Sequence, residues 1–166
     1  MALGHSMATY AQTRLALKEG VTGFTHLFNA MRPLARREPG PVAAALETPG
    51  AWFGMIVDGT HVDPAMLRWL CGEGHPILVT DAMPPVGGRQ STFILGGQQI
   101  TVQNGACVRD DGALAGTALS MGEGGAKLRA RARCAPYIGV ALRFPRTSEL
   151  SWSGRLAGPT QTPVQS

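Results

Sequence analysis

Three histidines and one aspartate, His5, His26, His61 and Asp81, each stand just after a short apolar or β-prone run. One or two helix-length segments separate each from the next. If those runs are strands of a parallel sheet, the four side chains emerge at one edge, where a (β/α)8 barrel gathers its catalytic groups. Imidazoles are the usual zinc ligands, and a metal with an open coordination position activates water near neutral pH. A carboxylate on another strand can then accept a proton from that water and return it to a leaving group. A lone histidine in such a place is ordinarily a satisfied structural group. Four polar residues at successive strand ends argue for a site. His75 precedes a strand rather than following one and reads as surface.

Two further segments are candidates for holding an anion: Thr25-His26-Leu27-Phe28-Asn29-Ala30-Met31 and Arg36-Arg37-Glu38-Pro39-Gly40. Arginine pairs bidentately with phosphate, and loop amides add donors. Two adjacent arginines fit a solvated loop equally well.

The elements that must position these residues alternate. Helical spacing runs from Ala8 to Glu19 and stops at Gly20, a C-terminal glycine cap. Val21 to Thr25 is β-prone, and a helix passes through Val42–Leu46. Ala51 to Val57 reads as a buried strand. Asp63-Pro64 opens a helix, as N-cap and first-turn proline, that continues to about Glu73. Ile77–Thr80 is a second buried strand, ending at Asp81. Buried strands separated by helices imply a parallel sheet of βα units. From Thr92 the pattern becomes hairpins: Phe93–Leu95, the turn Gly96-Gly97, and Gln99–Val102, with further turns at Asn104-Gly105 and Asp111-Gly112. After Met121 the pattern fails, because Gly122, Gly124 and Gly125 fall where a helix should continue. The division expected is a partial barrel over 1–121 and a divergent, poorly ordered tail over 122–166, apart from any helix in Gly125–Ala132.

Composition sets the outer bounds. With 44% hydrophobic and 16% charged residues the chain is globular rather than disordered. No run approaches the roughly 20 apolar residues of a membrane span, and the first residues lack a signal-peptide pattern. Three widely spaced cysteines, Cys71, Cys107 and Cys134, suggest reduced thiols in a cytoplasmic protein. The sequence pI of about 9.4 comes from the tail: residues 122–166 carry seven basic and two acidic groups, against eight and nine before them. A basic tail without aromatic or recognition-helix context does not make a nucleic-acid surface.

Several of these segments together resemble the N-acetylglucosamine-6-phosphate deacetylases of the amidohydrolase superfamily. Gly4-His5-Ser6, the Thr25–Met31 segment, Arg37-Glu38-Pro39-Gly40, Asp58-Gly59-Thr60-His61-Val62, Val79-Thr80-Asp81-Ala82 and Leu114-Ala115-Gly116-Thr117 occur in the family's order over residues 3–121. The resemblance implies a partial TIM-type barrel with a β-hairpin insertion. It also implies a divalent metal, zinc first and iron or another as alternatives, and a sugar-phosphate substrate. His5 and His26 resemble the metal-ligating histidines. Asp81 resembles the catalytic acid–base, and His61 the histidine that contacts substrate and polarises its acetyl carbonyl. Asn29, Ala30 and Arg37 resemble the phosphate-binding group, and Leu114, Ala115 and Gly116 the loop lining the sugar. Complete enzymes of the family are expected to be homo-oligomers, with no nucleic-acid or membrane partner.

The family pattern also includes an N-terminal half with a metal-ligating glutamate, for which this sequence has no counterpart. The Arg/Pro/Ser-rich tail resembles nothing in the family and reads as an unrelated extension. The expected reaction is hydrolysis of the acetamide of N-acetyl-D-glucosamine 6-phosphate to glucosamine 6-phosphate and acetate, within a complete enzyme. The alternatives are an inactive fragment that binds at most metal or sugar phosphate, and a related deacetylase acting on another sugar phosphate.

Overall fold

A computed structural model of the chain describes residues 1–132, with side chains through Ala130. Four parallel strands come first: β1 (Ala2–Leu3), β2 (Gly23–Phe24), β3 (Trp52–Ile56) and β4 (His75–Val79), hydrogen-bonded in the order β1-β2-β3-β4. Helix α1 (Tyr10–Lys18), α2 (Gly40–Glu47) and α3 (Pro64–Leu70) are the crossovers between them. Thr9 caps α1 in a reciprocal box with Gln12, and Asp63 accepts the Ala65 amide at 2.7 Å to start α3. Leu3 pairs with Phe24 and Phe24 with Phe53, whereas Ile56 pairs with Val79. So β1 and β2 end level with each other, and β3 and β4 end together three residues further on.

Burial explains the apolar runs. In β3 the four residues Phe53–Ile56 are buried, since strands flank it on both sides. The edge strand β4 is buried at alternate positions only, Pro76 and Leu78, and His75 is exposed at its start. Phe24, Leu27, Val42, Phe53, Met55, Leu67 and Leu70 form the centre of the core. Four strands do not close a barrel, so the structure is α/β with an open parallel sheet.

The hairpin region is larger than the sequence suggested. Strands β5 (Thr92–Leu95), β6 (Gln98–Gln103), β7 (Ala106–Arg109) and β8 (Leu114–Thr117) make a complete antiparallel sheet. The segment expected as a substrate loop, Leu114–Gly116, is therefore part of a strand, paired to β7 through the turn at Asp111-Gly112. One residue staples this sheet to the other. Buried Thr117 bridges Ala82, donates its hydroxyl to the Thr80 carbonyl at 2.6 Å, and accepts the Leu119 amide at 3.0 Å.

Helix α4 (Met121–Ala132) runs through the glycines that end the pattern in the sequence. Two contacts outweigh glycine's weak helix propensity. Glu123 closes a cap on Ser120 from both directions, and Leu128 is 3% exposed in the core. A side chain at Gly124 would stand 3.3 Å from the Leu78 methyls, so the glycine lets α4 approach β4 closely. The expectations for the tail beyond residue 132 lie outside the described residues. Cys107 is a free, buried thiol. No helix among the described residues is long and apolar enough to cross a membrane.

If Thr117 joins the two sheets as described, Thr117→Val keeps the shape but leaves the buried Thr80 carbonyl and Leu119 amide without their partner. The expected loss is about 1–3 kcal/mol in urea unfolding, with Thr117→Ser retaining most of the stability. Equal losses for Val and Ser would assign the effect to packing instead.

Candidate functional site

Each strand of the parallel sheet presents a polar residue at the same offset. His5 lies two residues beyond β1, His26 two beyond β2, and Asp81 two beyond β4. All three have a left-handed backbone, with φ of 45°, 27° and 50°. That region is uncommon for residues with a Cβ, and it turns the chain sharply out of the strand direction. Phe28 and Ala30 are also left-handed, at 78° and 49°. Of the six non-glycine residues with positive φ among the described residues, five line one cleft of about 510 Å³; the sixth, Asn104, sits in a hairpin turn. Strain of this kind costs on the order of 1–3 kcal/mol per residue and collects at functional sites.

The cleft holds the two imidazoles, exposed His5 and buried His26, edge to face with ring centroids 4.8 Å apart. His26 is 8% exposed, and its Nδ1 is buried without a hydrogen-bond partner. A buried ring nitrogen without a partner costs free energy that a cation or a hydrogen-bonding group would recover. Close packing fixes this ring's backbone from below. A side chain at Gly54 would meet the His26 amide nitrogen at 2.9 Å, and the Gly54 carbonyl accepts the Leu27 amide at 2.8 Å. The donors present suit two positions of a metal site. No cluster of three or more His, Cys, Asp or Glu side chains that could hold a metal exists among the described residues.

The loop after β2 is shaped by Asn29, whose amide group donates to the carbonyls of His26 and Leu27, both at 3.2 Å. Asn29 and Ala30 line the cleft wall beside His26. β8 brings Leu114, Ala115 and Gly116 into the cleft lining, together with Met83. Gly116 has φ +139°, and a Cβ there would lie 2.8 Å from the Asp81 carbonyl. The Thr117 amide also donates to that carbonyl at 2.9 Å, so β8 holds Asp81 in place. Burial pushes the Cys107 thiol up, and the nearby Asp81 charge adds to the effect.

His61 enters from further along its loop, five residues beyond β3. Its Nδ1 lies 2.7 Å from Asp58 Oδ2, while Asp58 Oδ1 accepts the Thr60 and His61 amides at 2.9 Å each. Burial opposes ionisation of Asp58, but the hydrogen bonds from His61 and Thr60 outweigh it and hold the pKa at about 2. Asp58 belongs to the segment read in the sequence, yet residue-type reasoning gave it no part. Its offset of two from β3, matching His5, His26 and Asp81, is the signal that could have found it.

The structure thus gathers nine of the ten candidate residues into the walls of one cleft. Arg37 is the exception. It is exposed on the loop before α2, whose shape is set by Glu38 accepting the amides of Tyr10 at 2.6 Å and Gly40 at 3.1 Å.

No family model matches the chain. It is 42% identical over 125 residues, 73% of its length, to the N-acetylgalactosamine-6-phosphate deacetylase of Shewanella sp. (strain ANA-3). To the N-acetylglucosamine-6-phosphate deacetylase of Bacillus subtilis (strain 168) it is 38% identical over 135 residues, 80% of its length. A solved structure of a mutant N-acetyl-D-glucosamine-6-phosphate deacetylase from Mycobacterium smegmatis, in complex with N-acetyl-D-glucosamine-6-phosphate, matches 79% of the chain at 39% identity and a TM-score of 0.74. The chain is a relative of the amino-sugar-6-phosphate deacetylases. It spans about a third of their length: 32% and 34% of the two sequences and 35% of the solved chain.

The Asp58 carboxylate yields a pH prediction. Its folded pKa of about 2 lies below the unfolded 3.8, so its ionised form contributes stability that is fully present above that value. That stability is lost as pH falls through 2, and the shift corresponds to roughly 2 kcal/mol. Urea unfolding between about pH 5 and pH 2 should show the decline, and Asp58→Asn should flatten it. An unaltered pH profile in the variant would remove Asp58 as the source.

Proposed function

We propose that the chain is the metal-ligating and acid–base segment of an N-acetylhexosamine-6-phosphate deacetylase, and that its parallel strands are an arc of that enzyme's TIM-type barrel. The observation that carries this reading is the convergence of His5, His26, His61 and Asp81 on one cleft, three of them on left-handed turns at a common offset from their strands. The consecutive spatial order of the strands is the order a (β/α)8 barrel requires. A phosphorylated substrate, which does not cross membranes unaided, suits a cytoplasmic protein.

His5 and His26 would hold a divalent ion, zinc in preference and iron as the alternative, which supplies Lewis acidity towards the acetyl carbonyl and lowers the pKa of water. Asp81 takes a proton from the attacking water and delivers it to the amine nitrogen as the carbon–nitrogen bond breaks. The products are acetate and the free amino sugar 6-phosphate. His61 contacts the acetamide, Asn29 and Ala30 the phosphate side, and Leu114–Gly116 cover the sugar ring. Arg37 is assigned to the phosphate by its segment alone. It must reach the cleft from an exposed loop. The relatives include enzymes named for both glucosamine and galactosamine substrates, so the sugar is stated as the N-acetylhexosamine, with N-acetylglucosamine as the first expectation.

A second reading has its own observation. Since no third ligand joins the two histidines among the described residues, the chain by itself would be inactive and bind metal weakly at most. Zinc analysis after dialysis against a chelator should therefore find well under one ion per chain. A stoichiometric, chelator-resistant zinc would require a third ligand from this chain.

Turnover is expected once the remaining two thirds of the family enzyme are supplied, fused or in trans. Against that enzyme, Asp81→Asn should lower kcat by at least about 10²–10⁴-fold with little change in substrate binding. Arg37→Ala should raise KM for the phosphorylated sugar and leave the unphosphorylated one little changed. Acetate release against substrate concentration decides both. Near-normal kcat in Asp81→Asn would sink the acid–base assignment, and equal losses on both sugars would sink Arg37 as a phosphate ligand.

A further inference from the structure

Three strands carry a cleft-lining residue two positions beyond their last residue, and on β3 that position is Asp58. Its carboxylate does not line the cleft. Every donor it meets lies instead on its own loop: the amides of Thr60 and His61 on Oδ1, and His61 Nδ1 on Oδ2. The two side chains are 1% and 3% exposed, so water does not compete for the pair. From α4, Lys127 donates its ammonium to the Asp58 carbonyl at 3.3 Å and anchors the start of the loop.

We infer that Asp58 is a positioning residue: it holds the His61 ring with Nδ1 protonated and leaves Nε2 as the nitrogen available to the cleft. An ionised carboxylate only accepts hydrogen bonds, so the nitrogen facing it at 2.7 Å must donate. The neutral ring then carries a lone pair on Nε2, and the protonated ring donates from both nitrogens. In neither state is Nε2 the sole protonated nitrogen. The substrate contact given to His61 above rests on this arrangement.

Replacing Asp58 by asparagine reverses it without changing shape. The amide oxygen still accepts the Thr60 and His61 backbone donors, but the amide NH₂ now faces Nδ1, which must accept. The proton of the neutral ring moves to Nε2, and the cleft meets a donor where it had an acceptor. A role confined to holding the loop would produce no such exchange.

The test uses the full chain labelled with ¹⁵N-histidine, recording ring proton–nitrogen correlations at a pH where the ring is neutral. The His61 ring is assigned by its absence from His61→Gln. The expected result is a protonated Nδ1 in the wild type and a protonated Nε2 in Asp58→Asn. A bare Nδ1 in the neutral wild-type ring overturns the inference, as does a folded Asp58→Asn with an unchanged tautomer. Should Asp58→Asn fail to fold, the wild-type tautomer alone decides. Turnover plays no part in the measurement, so failure of the deacetylase reading and failure of this inference remain distinguishable.

Discussion

Everything at the cleft depends on a backbone constraint: a parallel strand must stop and turn within two residues, and His5, His26 and Asp81 do so in the left-handed region. Left alone, these residues would relax towards extended or right-handed backbone. The surrounding packing denies them that choice. Gly54 brings β3 against the His26 amide, and the Asp81 carbonyl is held by the Thr117 amide where Gly116 leaves no room for a side chain. Strain is thus local to the site, and the core and the second sheet hold it in place. The strand ends are also staggered, β1 with β2 and β3 with β4, which puts the two imidazoles side by side and sets the carboxylates further along.

That arrangement gives the antiparallel sheet a purpose beyond decoration of a loop. Its first strand is nearly unburied, with Ile94 67% exposed, whereas its last ends in Thr117 with no exposure. Burial rises across the sheet from β5 to β8. A strand, unlike a free loop, fixes this part of the cleft lining: Leu114 pairs with Val108 and Gly116 with Cys107, with Ala115 outside the register between them, and Thr117 bridges Ala82. Order on that wall comes from backbone hydrogen bonds, which require no particular side chains along Leu114–Gly116.

How far the sequence carries the reader follows from what each signal measures. Buried runs and cap residues are local, so the three crossover helices and the strands at Ala51–Val57 and Ile77–Thr80 were legible to within a few residues. The Thr25–Met31 and Asp58–Val62 segments were legible because their order matches a family. Helix α4 was legible only in its later part, within Gly125–Ala132; its start was not, because Gly122, Gly124 and Gly125 are poor helix formers and the burial of Leu128 that compensates them is a tertiary fact. Nor was β8: four residues with two small side chains show no period, and their pairing to β7 is set by a turn and by Thr117. Asp58 escaped for a different reason. Its carboxylate points back into its own loop, and a residue acting through a neighbour leaves no mark in a search for convergent ligands.

The same division bears on which sugar such a site can select. N-acetylglucosamine and N-acetylgalactosamine differ only in the orientation of one hydroxyl. An apolar surface rejects a misplaced hydroxyl weakly, whereas a site built to hydrogen-bond that group can discriminate by several orders of magnitude. The described cleft is also lined by Met83, Leu114, Ala115 and Gly116, none of which has a polar side chain. The polar side chains, His5, His26, His61, Asp81 and Asn29, are assigned under the proposed reading to the acetamide and the phosphate, which both epimers share. Under that reading the polar side chains of this cleft serve the groups the two substrates share, and the side chains of Met83, Leu114, Ala115 and Gly116 offer no hydrogen bond by which to tell the epimers apart.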